Sequence, residues 1–255
     1  MLEQGHREHR RGMMHSVGTL ETSYRALAAA QKGHARGAPA YSVYVNRRLG
    51  RVLAALAFRA GFSPNQVTAL SALHTFAAIA LIATVPNDPW VGFAAAALLV
   101  LGYAWDSADG QVARLSGGGS IAGEWLDHFV DAIKISSLHL AVAIGLYRFA
   151  PEIPRVWLLV PLAFSAVATT TFFGMLLNDL LKGARGVPST HARGGGTFTR
   201  SMMLLPTDFG VVCLVFVLWG APVLFLWAYG ILFVFAALFL VAAAAKWFRE
   251  MQRVD

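Results

Sequence analysis

Cysteine and charge are both scarce in this sequence. The single cysteine, Cys213, lies in the apolar run at 211–218, so no disulfide framework can form. Charged residues make up 14% of the 255 positions and hydrophobic residues 56%. A soluble domain averages roughly 25% charged and 45–50% apolar. An ordinary soluble fold is therefore excluded, and membrane spans are the first feature to seek. A secretory leader is not expected, because residues 1–11 lead into no apolar stretch of the required length. The net charge of +7 would suit a nucleic-acid partner, but the basic residues cluster beside apolar runs. There they meet anionic headgroups or set topology, so no nucleic acid is expected.

Residues 1–39 read as a mobile cytoplasmic tail rich in His, Arg and Gly, with a short helix at 19–32. His6, His9 and His15 within it read as solvated rather than as a metal tract. Over 41–58, Val45, Leu49, Val52, Leu53 and Leu56 alternate with Arg47, Arg48 and Arg51 at helical spacing. That is the pattern of an amphipathic helix lying in a membrane interface. Six apolar spans follow, at 63–85, 88–106, 120–147, 154–177, 206–219 and 222–246, the fifth being the shortest. Ser63-Pro64 and Asp88-Pro89 start the first two as caps with proline at the first helical position. The expected fold is thus an all-α membrane protein: six transmembrane helices after an interfacial amphipathic helix. A catalytic domain at 40–247 would be flanked by tails at 1–39 and 248–255.

Loop charge sets the expected orientation. The 85–89 and 219–222 connections hold no Lys or Arg, whereas 177–200 holds Lys182, Arg185, Arg193 and Arg200. Both termini are then cytoplasmic, with Arg148 and Arg155 dissenting.

The stretch that carries chemistry begins at Trp105-Asp106-Ser107-Ala108-Asp109-Gly110 and continues to Ala113-Arg114. Gly123, Asp127 and Asp131 follow at four-residue intervals. Charges inside a membrane cost about 2.5–3.5 kcal/mol each on insertion scales and call for a counter-charge. Asp106 and Asp109 share one helical face, and Gly123, Asp127 and Asp131 form a second stripe. A turn at 115–120 with three consecutive glycines makes the two helices a hairpin, so the stripes can face each other. An all-carboxylate set suits Mg²⁺, Mn²⁺ or Ca²⁺ rather than zinc. Gly110, Ala113 and Gly123 leave room beside the acids, and Arg114 offers a fork for phosphate oxygens.

The pattern Asp-x2-Asp-Gly-x2-Ala-Arg-x8-Gly-x3-Asp-x3-Asp resembles the signature of the CDP-alcohol phosphatidyltransferase family at all eight of its positions. The resemblance, which extends from about residue 41 to the C-terminus, implies phospholipid biosynthesis. A phospho-alcohol group, phosphatidyl above all, would pass from a CDP-linked donor such as CDP-diacylglycerol to an alcohol, releasing CMP. It implies a two-metal site for Mg²⁺ or Mn²⁺ on Asp106, Asp109, Asp127 and Asp131, with Asp131 also the general base. Gly110, Ala113, Arg114 and Gly123 would hold the CDP moiety, and Asn65 and Thr68 resemble a further nucleotide-contacting feature. A homodimer in the inner membrane of a prokaryote is also implied. Lys134, Arg193 and Arg200 are the candidates for a phosphorylated polyol acceptor, with an ion pair to an aspartate as the rival role for Lys134. Asp208 reads as a helix cap, and His74, His128 and His139 as structural. The alternative from another class is a divalent-cation transporter, since intramembrane carboxylates also mark ion pathways. It leaves Gly110, Ala113 and Arg114 at their fixed offsets unexplained.

Overall fold

A computed structural model of the chain describes Tyr24, Leu27, residues 37–187 and residues 195–253. His6, His9, His15 and Arg193 lie outside the described residues, as does most of the expected tail.

Every regular element among the described residues is a helix. One π-helical turn, Ser42–Asn46, leads into α1, Arg47–Arg59. Then come α2, Pro64–Thr84, α3, Pro89–Leu115, and α4, Ile121–Phe149. A 3-10 turn, Arg155–Leu158, opens α5, Leu159–Ala184. The short α6, Phe198–Met203, precedes α7, Phe209–Val215, which continues as a 3-10 turn to Leu218. The last helix is α8, Pro222–Met251.

Five of these are long and apolar enough to cross a membrane: α2, α3, α4, α5 with its leading turn, and α8, of 21 to 30 residues. At about 1.5 Å per residue, even the shortest spans a hydrocarbon core of about 30 Å. The expected fifth span differs from the rest. Its apolar helix covers only Phe209–Leu218, about 15 Å at the same rise. Pro206 sits in the 3-10 turn before it, and Asp208 is extended at ψ 127° and caps α7, so no continuous helix runs through 198–218.

Local chemistry sets the ends that matter to the site. Ser63 Oγ accepts the Gln66 amide N–H at 3.4 Å, and Gln66 Oε1 accepts the Ser63 N–H at 2.8 Å. This reciprocal box starts α2 with Pro64 at its first position. Between α3 and α4 the chain reverses at Gly117 and Gly118, with φ of +92° and +126°, a region glycine enters without steric cost. Ser120 Oγ then accepts the Gly123 N–H at 3.0 Å and starts α4.

The packing order explains where a polar site can exist. Helix α2 packs along both α3 and α4, while α3 and α4 scarcely touch each other despite being joined by a short turn. Away from that turn, Leu99, Leu138, Leu146, Phe216, Trp219, Phe225 and Tyr229 fill one apolar core. A second core, toward the turn, joins Ala54, Ala55, Ala57, Val67, Ala108 and Val112, with Leu27 entering it at 1% exposure. The Arg51 guanidinium lies over the Tyr24 ring at 5.1 Å.

Helix α1 rests on α3 through small residues. A Cβ on Gly50 would come within 2.8 Å of the Ser107 side chain. Its other face exposes Leu49, Val52 and Leu56, and the turn before it exposes Val45. The segment leading into α1 is tied down by polar contacts. Buried Asp208 accepts the Ser42 N–H at 2.8 Å and the Gly210 N–H at 3.0 Å. Asn46 donates to the Tyr103 carbonyl at 3.1 Å, and Ser201 to the Ala38 carbonyl at 2.7 Å.

Candidate active site

The four aspartates occupy the gap between α3 and α4. Asp106 and Asp109 lie on the last turns of α3, and Asp127 and Asp131 near the start of α4. One oxygen from each of Asp106, Asp127 and Asp131 falls within 4.8 Å of the others. Asp109 is held by its neighbours. Its Oδ2 accepts the Thr68 hydroxyl at 2.8 Å and its Oδ1 the Gly110 N–H at 2.5 Å. Its carboxyl also meets that of Asp127.

Lys134, one turn beyond Asp131, points back into the cluster. Its ammonium donates to Asp106 Oδ1 at 2.6 Å, to Asp131 Oδ1 at 3.1 Å and to Ser71 Oγ at 2.9 Å. Ser71 donates to the Gly102 carbonyl at 2.8 Å and lies 3.3 Å from Asp106 Oδ1. Sequence reasoning missed Ser71. The available signal was Thr68, Ser71 and Thr75 at helical spacing on an otherwise apolar span, a polar stripe all of which is buried.

Of the residues expected around a nucleotide, Gly123 adjoins Asn65 and Arg114 adjoins Gly110. A Cβ on Gly123 would meet Asn65 Oδ1 at 3.1 Å, so the start of α2 leans against the start of α4. Arg114 folds back over Gly110, its Nη1 lying 3.6 Å from where a Cβ would stand. The Ala113 carbonyl accepts the Gly118 N–H at 2.9 Å, which holds the turn close to the motif. Arg200 is exposed on α6, its amide bonded to Thr197 Oγ1 at 3.3 Å.

The histidines serve packing. His74 Nδ1 bonds the Leu70 carbonyl at 2.8 Å, and the His128 ring meets Phe172 edge-on at 6.1 Å. His139 bonds the Tyr229 hydroxyl and stacks on Phe164 at 4.1 Å. Cys213 is buried and free.

The donor set fits a hard divalent cation. All its atoms are carboxylate oxygens, three of them converge, and Asp127 Oδ1 is buried without a hydrogen-bond partner. A buried, unpaired acceptor is rare and costly unless a ligand completes it.

Membrane-length helices around a half-buried carboxylate cluster define an integral membrane protein with a polar site between its helices. The chain belongs to the CDP-alcohol phosphatidyltransferase family, whose sequence pattern matches residues 62–247, from just before α2 almost to the end of α8. Phosphatidyl transfer from a CDP-linked alcohol in lipid synthesis is the work of that family, with a divalent metal in the site. No curated protein matched the chain.

Proposed function

We propose that this chain transfers a phosphatidyl group from CDP-diacylglycerol to an alcohol acceptor and releases CMP. The observation that carries this is the convergence of Asp106, Asp127 and Asp131 with the unpartnered Asp127 Oδ1 among them. Asp106, Asp109, Asp127 and Asp131 would hold Mg²⁺ or Mn²⁺. When bound, the metal neutralises the donor's diphosphate and the charge that grows on departing CMP.

The chain's own residues do the rest. Gly110, Ala113 and Gly123 admit the CDP moiety beside the acids, with Asn65 and Thr68 at its edge and Arg114 paired to its phosphates. Asp131 accepts the proton of the acceptor hydroxyl. The hydroxyl oxygen then bonds the phosphorus that carries the diacylglycerol, and the bond from that phosphorus to the oxygen shared with CMP breaks. Thr68 and the Gly110 amide keep Asp109 oriented throughout, so the site is arranged before substrate enters. Arg193 and Arg200 take the phosphate of a phosphorylated polyol acceptor, because Lys134 is already bonded to Asp106 and Asp131.

The architecture in the bilayer follows the same reading. Helix α1 lies in the interface with Val45, Leu49, Val52 and Leu56 toward the lipid. The pieces across 198–218 serve together as the sixth crossing. The catalytic domain at 40–247 has cytoplasmic tails at either end and works as a homodimer in a prokaryotic inner membrane. The test is CMP release by the purified chain in lipid with Mg²⁺ or Mn²⁺, screening CDP-diacylglycerol against alcohols and phosphorylated polyols. Release that needs one acceptor and disappears in Asp127→Asn supports the proposal. No release with any acceptor overturns it.

A further inference from the structure

The family resemblance implies two divalent ions, yet a cation of the chain's own already stands among these carboxylates. Lys134 is 6% exposed. Its ammonium has three N–H donors, and three oxygens receive them: Asp106 Oδ1, Asp131 Oδ1 and Ser71 Oγ. Ser71 is fixed in turn by the Gly102 carbonyl, and a Cβ on Gly102 would collide with Thr75, so α2 and α3 are in close contact here. The ammonium therefore sits in a built socket, on one oxygen of Asp106 and one of Asp131.

The two sides of the cluster differ. A Mg²⁺ shared by Asp106 and Asp131 would need oxygens at about 2.0–2.1 Å. The ammonium already bonds both carboxylates, 2.6 Å from Asp106 Oδ1 and 3.1 Å from Asp131 Oδ1. Asp127 Oδ1, by contrast, has no hydrogen-bond partner, and the Asp127 carboxyl adjoins that of Asp109. Two of the four carboxylates are thus already paired from within.

We propose that Lys134 stands in for one of the two divalent ions, so that the chain without nucleotide binds one metal ion. This rests on the metal reading of the site given above. The fixed charge holds Asp106 and Asp131 together across the gap between α3 and α4 while a single ion occupies the Asp127 side.

The test is Mn²⁺ binding to the full chain in lipid without nucleotide, followed by electron paramagnetic resonance. The wild type is expected to bind one ion with an uncoupled six-line signal. Lys134→Gln is expected to bind two, with the spin-coupled spectrum of ions about 3.5–4 Å apart, and Lys134→Arg to stay at one. Two coupled ions in the wild type overturn the proposal and leave the metal site standing. A folded Lys134→Gln that still binds one ion also overturns it. No Mn²⁺ bound by any form overturns both the proposal and the metal reading. If Lys134→Gln does not fold, the wild-type and Lys134→Arg counts decide the matter.

Discussion

Thr68 on α2 donates its hydroxyl to Asp109 Oδ2 on α3 at 2.8 Å. The Gly110 amide occupies the other oxygen, so this carboxylate is aimed by the protein before any ligand arrives. Hydrogen bonds to charged groups contribute about 1.5–3 kcal/mol. Thr68→Val is therefore expected to lower kcat/KM by about 10- to 100-fold and to weaken Mn²⁺ binding. Steady-state CMP release and a metal titration check both parts.

In the proposed reaction Asp131 has a different task from Asp127. Losing a positioned proton acceptor typically costs about 10²- to 10⁴-fold in rate. Asp131→Asn is expected to lose that much turnover while still binding CMP. Full turnover in a variant with intact metal binding would remove Asp131 from the proton-accepting role.

The contact of α1 with α3 depends on the absence of a side chain at Gly50. Overpacking such a contact costs about 1–3 kcal/mol, so Gly50→Leu should lower the unfolding temperature in lipid. Leu49→Ala, on the exposed face of the same helix, should leave the packing against α3 unchanged. A Gly50→Leu protein as stable as the wild type would show that α1 is not held where the structure puts it.

Asp208 gathers the Ser42 and Gly210 amides from two distant parts of the chain. Removing a buried acceptor costs about 1–3 kcal/mol for each group left unsatisfied. Asp208→Ala is expected to destabilise the protein by about that amount. Faster hydrogen exchange at Ser42 and Gly210 would locate the damage.

Leu27 enters the core formed by α1, α2 and α3. Truncating a buried leucine to alanine costs about 2–5 kcal/mol. Thermal unfolding of Leu27→Ala should show this loss, and an unchanged midpoint would mean that the tail contributes nothing there.

Much of the site was legible because aspartates on apolar helices are conspicuous and their spacing reports the face they share. The order of spans was legible for the same reason, with Ser63-Pro64 and Asp88-Pro89 marking starts at which α2 and α3 begin. The fifth span was harder to read. Its composition is apolar, and only Pro206 and the cap at Asp208 interrupt the helix. Spacing placed Lys134 near the acids but left its direction open between substrate and aspartate. The structure bonds it to Asp106 and Asp131, because a lysine one turn from Asp131 reaches the gap between helices. Ser71 and Leu27 carried less warning: one is a small hydroxyl among apolar neighbours, the other one of three leucines in a polar tail.

Helix α2 carries none of the eight signature residues, yet it packs on both helices that do, and those two scarcely meet. The separation of the two signature helices therefore depends on α2, through Thr68, Ser71 and Thr75, as well as on the Lys134 bridge between them. Two proteins with identical signatures would then differ in that separation through a helix outside the signature. Variation in substrate range among such proteins would then be written on α2, where a comparison restricted to the signature does not look.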